Sequence, residues 1–476
     1  MKLIKRNIRL MVIVICLLLV SLIAYGAYSL SYFGNRWFSS AANTSLRRVK
    51  QDVIPGSVLD RRGIEIAGTD LEGKRTYHPD PLTRSALVHL VGDRDNNVAY
   101  GVESFMSNLL YAFDDSYLNR LAAAISGQPR RGYDLRLTVD SVLTRTIAAA
   151  FPQNKSGAVI VMNYQTGELL ALSSFPGFDP DLVPKNIEAD PLQPFWNRAT
   201  RWLSAPGSTF KVITVASAIA NIPDAMNKKT SCTGGFQVDD VIITDAGMAA
   251  HGELDLKRAL AVSCNITFAK LALELGDEKL RRTSQAFGFD DYLLFSDLVV
   301  ENARYPDTNR VQKEIAWTGA GQSALLVTPL HMCMVAAAIG NDGAMVEPKI
   351  LLQAADSSGR ERMQIKPTVY KTSLSEMEAN TIADAMRAAV MQGTAGASNV
   401  AGLRICGKTG SAEVAGLMET NAWYIGFIDD KNFPYAVCVA IADIGGGGQA
   451  AAPLAGRIFE YLKQNADKSD QSSSMR

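Results

Sequence analysis

A serine and a lysine three residues apart, Ser208 and Lys211, open the apolar run Val212–Ile222 directly after Pro206-Gly207. Proline and glycine break what precedes, and the apolar run reads as a buried helix. Both side chains then project from one face of its first turn. A lysine held in a partly desolvated cleft gives up its proton more readily and can take the proton of a serine. The helix N-terminus favours the negative charge that develops on a substrate under attack. The chemistry on offer is acyl transfer through a serine ester. Taken alone, the pair also fits a serine near a helix cap beside an exposed lysine.

Two further triplets could complete such a site. Ser263-Cys264-Asn265 lies between helical segments Leu256–Val262 and Ile266–Leu275. From that short connection a hydroxyl could relay a proton and a carboxamide could hold a substrate amide, although an ordinary polar turn reads the same way. Lys408-Thr409-Gly410-Ser411 enters a late strand, with Lys408 and Gly410 on one face and Thr409 and Ser411 on the other. Gly410 removes a side chain where a peptide-like substrate could lie along the strand. An ammonium and a hydroxyl nearby could hold a terminal carboxylate, and the backbone N–H groups of Ser208 and Ser411 could form an oxyanion hole. SxxK, SxN and KTG each occur once in the 476 residues, in that order.

These triplets need a scaffold, and the surrounding pattern supplies one. Leu135, Leu137 and Val139 alternate with polar residues as in a strand, and Asp140 sits as an N-cap before Leu143, Ile147 and Phe151 at helical spacing. Ala158–Met162 and Leu169–Leu172 flank the Asn163–Gly167 turn as a hairpin. Ala422–Ile428 and Tyr435–Ala442 read as two more strands, and Leu454, Ile458, Tyr461 and Leu462 as a helix with one apolar face. Two strands early, three late and a helical middle predict one five-stranded antiparallel sheet flanked by helices in an α+β fold.

Before this lie the basic residues Lys2, Lys5, Arg6 and Arg9 and then an uncharged run from Leu10 to Asn35. That run is long enough to span a bilayer, and the basic cluster predicts a cytoplasmic N-terminus with everything beyond outside. A cleaved signal peptide fits less well, because the run continues apolar past Ala24-Tyr25-Gly26. Residues 1–9 read as a cytoplasmic tail, 10–34 as an anchor, 35–132 as a small mixed pedestal and 133–466 as the catalytic domain. Within the pedestal, Ser45–Asp52 looks like a helical connector, and Phe105–Phe113 and Tyr117–Ile125 look like amphipathic helices. Residues 467–476 are polar and Ser-rich and are expected to lack structure. Lys+Arg and Asp+Glu both total 48, so no global charge argues for nucleic acid. The cysteines show no CxxC pair or disulfide framework and read as small buried apolar side chains. The four histidines, His78, His89, His251 and His331, have no metal-ligand spacing, so no metal is expected.

The ordered triplets resemble those of class B penicillin-binding proteins, and the likeness extends from the anchor to about residue 465. It takes in Gly56-Ser57-Val58-Leu59-Asp60-Arg61-Arg62-Gly63, Leu137-Thr138-Val139-Asp140, the hairpin Gly157–Ser174 and Asn197-Arg198. It also includes Gly321-Gln322, Thr328-Pro329, Asn341-Asp342-Gly343 and Trp423-Tyr424-Ile425-Gly426-Phe427. The compact pedestal is most similar to that of the shorter, PbpA-like members. Pro55 stands where an arginine is usual, Asn421 where a histidine is frequent, and KTGS replaces the commoner KTGT.

The resemblance implies a D,D-transpeptidase that cross-links peptidoglycan stem peptides ending in D-Ala-D-Ala and is blocked covalently by β-lactams, with no cofactor. By position, Ser208 would be the nucleophile, Lys211 the acylation base, Ser263 a proton relay and Lys408 an electrostatic aid. Asn265 would hold the substrate amide, and Thr409, Gly410 and Ser411 would line the carboxylate site. A SEDS-type glycan polymerase is the implied membrane partner, and the roughly 100 residues of pedestal leave little room for a glycosyltransferase of its own. A β-lactamase, a β-lactam-binding scaffold or sensor, and a D,D-carboxypeptidase stay open as alternatives built on the same triplets.

Overall fold

The computed structural model describes residues 2–38, 53–70, 72–112, 125, 130–307, 311–356, 359–364, 366–413 and 420–473. The chain begins with one helix, α1 (Lys2–Phe38), within which Ile4–Ser31 is long and apolar enough to cross a membrane. The helix itself begins ahead of the uncharged run, at Lys2, and takes in Lys5, Arg6 and Arg9. The expected connector Ser45–Asp52 lies outside the described residues, as does Tyr117–Ile125 except for Ile125. In place of one helix over Phe105–Phe113 there are two short ones, Val102–Phe105 and Ser107–Leu110, broken at Met106.

The catalytic half is built on β1 (Gly157–Asn163), β2 (Leu169–Phe175), β3 (Ile405–Ala412), β4 (Asn421–Ile428) and β5 (Tyr435–Ile441). They pair in the order β3-β4-β5-β1-β2, every pair antiparallel, as expected from two early and three late strands. Between β2 and β3 the chain passes, among other elements, through α2 (Lys211–Asn221), α3 (Leu256–Val262), α4 (Asn265–Leu275), α5 (Pro329–Gly340) and α6 (Glu376–Gln392). α7 (Ala451–Ser473) follows β5.

The strands are apolar on both faces because both faces are covered. Ile160, Met162, Trp423, Ile425, Phe427 and Cys438 join the core of α5, a helix buried all round. Their neighbours Val159, Val161, Tyr424, Val437 and Val439 join Leu454, Ile458 and Phe459 of α7 in a second core. Successive side chains of a strand point to opposite faces, so one sheet separates the two. β3 is an edge strand, with no further strand beside it on one side. α7 runs to Ser473, past Asp467 where the composition predicted loss of structure. Once a helix is anchored by packing, each further residue adds a hydrogen bond at little cost.

A second sheet of six strands links the two halves of the chain. Val58–Leu59 pairs in parallel with Asp134–Leu137, which pairs antiparallel with Leu351–Ala355. The alternating strand after Tyr133 therefore belongs to a sheet that straddles the expected boundary at residue 132. Asp60 ties the junction together. Its fully buried carboxylate accepts from the backbone of Arg62 (2.8 Å) and Ile64 (2.9 Å) and from the hydroxyl of Ser141 (2.7 Å). Beside the unusual Pro55, Arg75 donates to the carbonyl of Gly56 at 2.8 Å and pairs with buried Glu103 at 2.6 Å.

The middle of the catalytic half is less helical than expected. Thr230–Cys232 pairs with Gly252–Leu254, and Gly235–Val238 pairs with Val241–Thr244. Asp239-Asp240 forms the turn of that second pair, with Asp239 at φ 51°. A hairpin this short shows only a weak alternating pattern, in Phe236, Val238, Ile243 and their polar neighbours.

Candidate active site

Ser208 lies in a single 3-10 turn, Gly207–Phe210, from which α2 continues at Lys211. The turn is clasped from two sides. Gly207 has φ +57°, and a Cβ on it would stand 2.7 Å from the Ser411 carbonyl oxygen. On the other side a Cβ on Gly321 would stand 1.8 Å from the Gly207 carbonyl oxygen. Gln322 closes the clasp by donating from Nε2 to the Ser411 carbonyl at 3.1 Å. Ser208 itself is half-buried, and its hydroxyl has no hydrogen-bond partner among the described residues.

Lys211 is fully buried one turn on, with its ammonium 5.3 Å from the centre of the Phe268 ring. It donates to the Ser263 carbonyl at 2.6 Å, the Asn265 carboxamide oxygen at 2.7 Å and the Ser263 hydroxyl at 3.3 Å. Burial pulls its pKa down to about 7, against a smaller upward pull from Cys264 and Asp245. All three acceptors come from one turn. Ser263 ends α3 in the left-handed conformation, φ 62° and ψ 37°, which is costly for a residue with a Cβ. That conformation is what lets its carbonyl and hydroxyl both reach Lys211.

Lys408 approaches the same serine from β3. It too is fully buried, and it donates to the Ser263 hydroxyl at 3.0 Å and to the Thr409 carbonyl at 2.8 Å. Burial holds its ammonium well below its ordinary pKa, and the neighbouring Lys211 adds to the effect. Two buried cations facing one hydroxyl cannot both be cheaply charged. The remaining residues of the triplet follow the strand's alternation. The Thr409 hydroxyl shares a 2.6 Å hydrogen bond with Thr394, and the Ser411 hydroxyl accepts from Gly447 N–H at 3.2 Å. Gly410 leaves no room for a Cβ, which would stand 2.8 Å from the Pro206 carbonyl oxygen.

The fold thus brings Ser208, Lys211, Ser263, Asn265, Lys408, Thr409, Gly410 and Ser411 close together. Sequence reading overlooked Thr394, and it gave Gln322 no task. It also overlooked what holds Asn265. Asn265 Nδ2 donates to the Thr244 carbonyl at 2.9 Å, and its backbone N–H donates to the Asp245 carboxylate. Asp245 in turn lies among Cys232, His251 and Cys264, four potential metal ligands whose donor atoms are all within 4.8 Å of one another. Their positions in the chain show no regular spacing, so the sequence gave no signal of the cluster. Asn421, at the position where a histidine is frequent, is a buried link that donates to the Ser204 hydroxyl at 3.1 Å and accepts from Asp443 N–H at 3.1 Å.

The family profile of the penicillin binding protein transpeptidase domain matches residues 157–460. The chain belongs to that family, as a class B penicillin-binding protein. Among its relatives is the peptidoglycan D,D-transpeptidase PbpA of Mycolicibacterium smegmatis, 30% identical over 384 residues that cover 74% of this chain and 77% of the relative. Stage V sporulation protein D of Bacillus subtilis is 30% identical over 440 residues, covering 84% and 67% respectively. The structure is similar to that of penicillin-binding protein A from M. tuberculosis in its imipenem acyl-enzyme complex. The TM-score is 0.78 at 25% identity, covering 86% of this chain and 98% of that one.

Proposed function

We propose that this protein is a membrane-anchored serine D,D-transpeptidase that cross-links peptidoglycan stem peptides and is acylated by β-lactams at Ser208. The observation that carries the reading is the convergence of Lys211 and Lys408 on Ser263, one turn from a serine whose hydroxyl is unengaged. Lys211, with a pKa near 7, is half neutral at physiological pH and can accept the Ser208 proton. Ser208 Oγ then bonds to the carbonyl carbon of the penultimate D-Ala. In this reading the N–H groups of Ser208 and Ser411 receive the developing oxyanion, and the clasp between Gly207, Gly321 and β3 keeps the two sides of that hole together.

Collapse of the intermediate breaks the C–N bond. The terminal D-Ala leaves as an amine, taking the proton back from Lys211 through the Ser263 hydroxyl. The acyl group stays on Ser208 as an ester. An amine of a second stem peptide attacks that ester, loses its proton along the same route, and returns Ser208 to its hydroxyl form. In this reading Asn265 holds the substrate amide, and Thr409 and Ser411 its carboxylate. Peptide lying along the open edge of β3 would add to the sheet. Among the described residues no carboxylate is hydrogen bonded to Ser208, Lys211 or Ser263, which supports a long-lived acyl-enzyme over rapid hydrolysis.

In this reading 1–9 is cytoplasmic, 10–34 the anchor, 35–132 the pedestal and 133–466 the catalytic domain outside the membrane. The anchor and pedestal are the surfaces for a SEDS-type glycan polymerase. The test is incubation with a stem pentapeptide ending in D-Ala-D-Ala and an amine acceptor peptide. A cross-linked product with one D-Ala released per link supports the reading. Hydrolysis alone would make the protein a D,D-carboxypeptidase, and no D-Ala release would make it a scaffold or sensor.

A further inference from the structure

The two hydroxyls assigned to the substrate carboxylate are themselves hydrogen bonded, and one partner lies outside the three triplets. Thr394 sits in the turn after α6, and its hydroxyl shares a 2.6 Å hydrogen bond with the hydroxyl of Thr409. Its main chain is tied to the other side of the site. Thr394 N–H donates to the Ala261 carbonyl of α3 at 3.1 Å, two residues before Ser263. Gly393 makes that approach possible, since a Cβ on it would stand 2.0 Å from the same oxygen. Thr394 thus joins the helix that ends at Ser263 to the strand that carries Lys408.

Resting on the function proposed above, we infer that Thr394 is a positioning residue for recognition of the acyl donor's carboxylate. Its hydroxyl donates to Thr409, which leaves the Thr409 proton for the anion. A carboxylate only accepts, so each hydroxyl that holds it must donate, and a threonine hydroxyl has one proton. If Thr409 gave that proton to Thr394, it would turn lone pairs toward the anion and the contact would repel. With Thr394 as the donor, Thr409 accepts on one side and donates on the other.

Ser411 has the same polarity two residues along the strand. Its hydroxyl accepts from Gly447 N–H at 3.2 Å, and a backbone N–H can only donate. The Ser411 proton is then available on the face that it shares with Thr409. Both hydroxyls are set as donors before substrate arrives, and each is polarised by the donor behind it. The chain between β5 and α7 holds the two donors in register. A Cβ on Gly447 would stand 2.3 Å from the Gly410 carbonyl oxygen, and one on Gly448 2.8 Å from the Thr394 carbonyl oxygen. Thr409 is buried while Thr394 is exposed, so water can serve the remaining lone pairs of Thr394.

The test compares benzylpenicillin with its methyl ester, which keeps the β-lactam but lacks the anion. Full-length protein in detergent is used, and each acylation rate constant is normalised by active-site titration. The wild type should prefer the free acid. Thr394→Val keeps the side chain's shape without its hydroxyl, and should lower the acid-to-ester preference about 5–10-fold, the worth of one hydrogen bond. Thr394→Ser should restore most of the preference. In a Thr409→Val background, Thr394→Val should change the preference no further, because the two hydroxyls act as one chain. Thr394→Ala carries the same expectation and replaces a valine variant that does not fold. A role in folding alone would slow acid and ester equally, and that outcome overturns the inference. So does a further loss of preference in the Thr409→Val background. Wild type acylated at Ser208, with the preference unchanged in Thr394→Val, would overturn this inference alone. Wild type that is not acylated at all would overturn the proposed function and this inference with it.

Discussion

Lys211 and Lys408 address the same oxygen, the Ser263 hydroxyl, at 3.3 and 3.0 Å. One comes from the helix that follows Ser208 and the other from an edge strand nearly two hundred residues later in the chain. Their different origins make their tasks separable by mutation. Arginine keeps a positive charge but cannot act as a base near neutral pH. Lys211→Arg should lower the second-order acylation rate with a β-lactam about 10²–10⁴-fold, the usual worth of a general base. Lys408→Arg should keep a measurable fraction. Equal rates for the two variants, both folded by thermal melting, would remove the role given to Lys211.

The same pair sets a pH dependence. Lys211 acts as a base only when neutral, and burial brings its pKa down to about 7. The acylation rate should therefore rise with pH through about 7 and level off above it. The sign for stability follows from the same shift. Between about 7 and the ordinary 10.5 the unfolded chain binds a proton that the folded chain does not, so this group's contribution to stability increases with pH across that window. A stopped-flow pH profile of acylation checks the first statement, and a rate that falls from pH 6 to 8 would contradict it.

The clasp behind Ser208 is a packing claim with its own test. Gly321 has φ +93°, and an added Cβ would stand 1.8 Å from the Gly207 carbonyl oxygen. Gly321→Ala should destabilise the fold by about 1–3 kcal/mol, the ordinary range for overpacking. It should also slow acylation more than the loss of folded protein accounts for, because the turn carrying Ser208 must move. Denaturant melts combined with active-site titration separate the two effects.

For the membrane segment, alkaline phosphatase fused after Asp60 should be active in cells, and the N-terminus of the isolated protein should be intact. A mature chain starting near Ala27 would replace the anchor with a cleaved leader.

Much of this architecture is legible in the sequence, for identifiable reasons. Ile160, Trp423 and Val439 belong to continuous apolar runs, and such runs are long enough to signal strands covered on both faces. Ser208, Ser263 and Lys408 each sit beside a sharp local marker: a Pro-Gly break, a helix-to-helix turn or a glycine in a strand. What could not be read depends on pairing at a distance. Nothing in Asp134–Leu137 says that it will pair with Val58–Leu59 on one side and Leu351–Ala355 on the other. The Asp239-Asp240 hairpin is too short to stand out from the helices around it. Cys232, Asp245, His251 and Cys264 have no regular spacing, and the pairing of Thr230–Cys232 with Gly252–Leu254 that sets Cys232 beside His251 joins segments distant in the chain.

The central claim is that Ser208 is acylated. Intact-protein and peptide mass spectrometry of wild type and Ser208→Ala after exposure to one β-lactam tests it most directly. The wild type should gain the mass of one opened β-lactam, on the peptide containing Ser208, and keep it over hours. The variant, folded by its melting curve, should gain nothing. An adduct on the variant, or on any other residue of the wild type, would contradict the account.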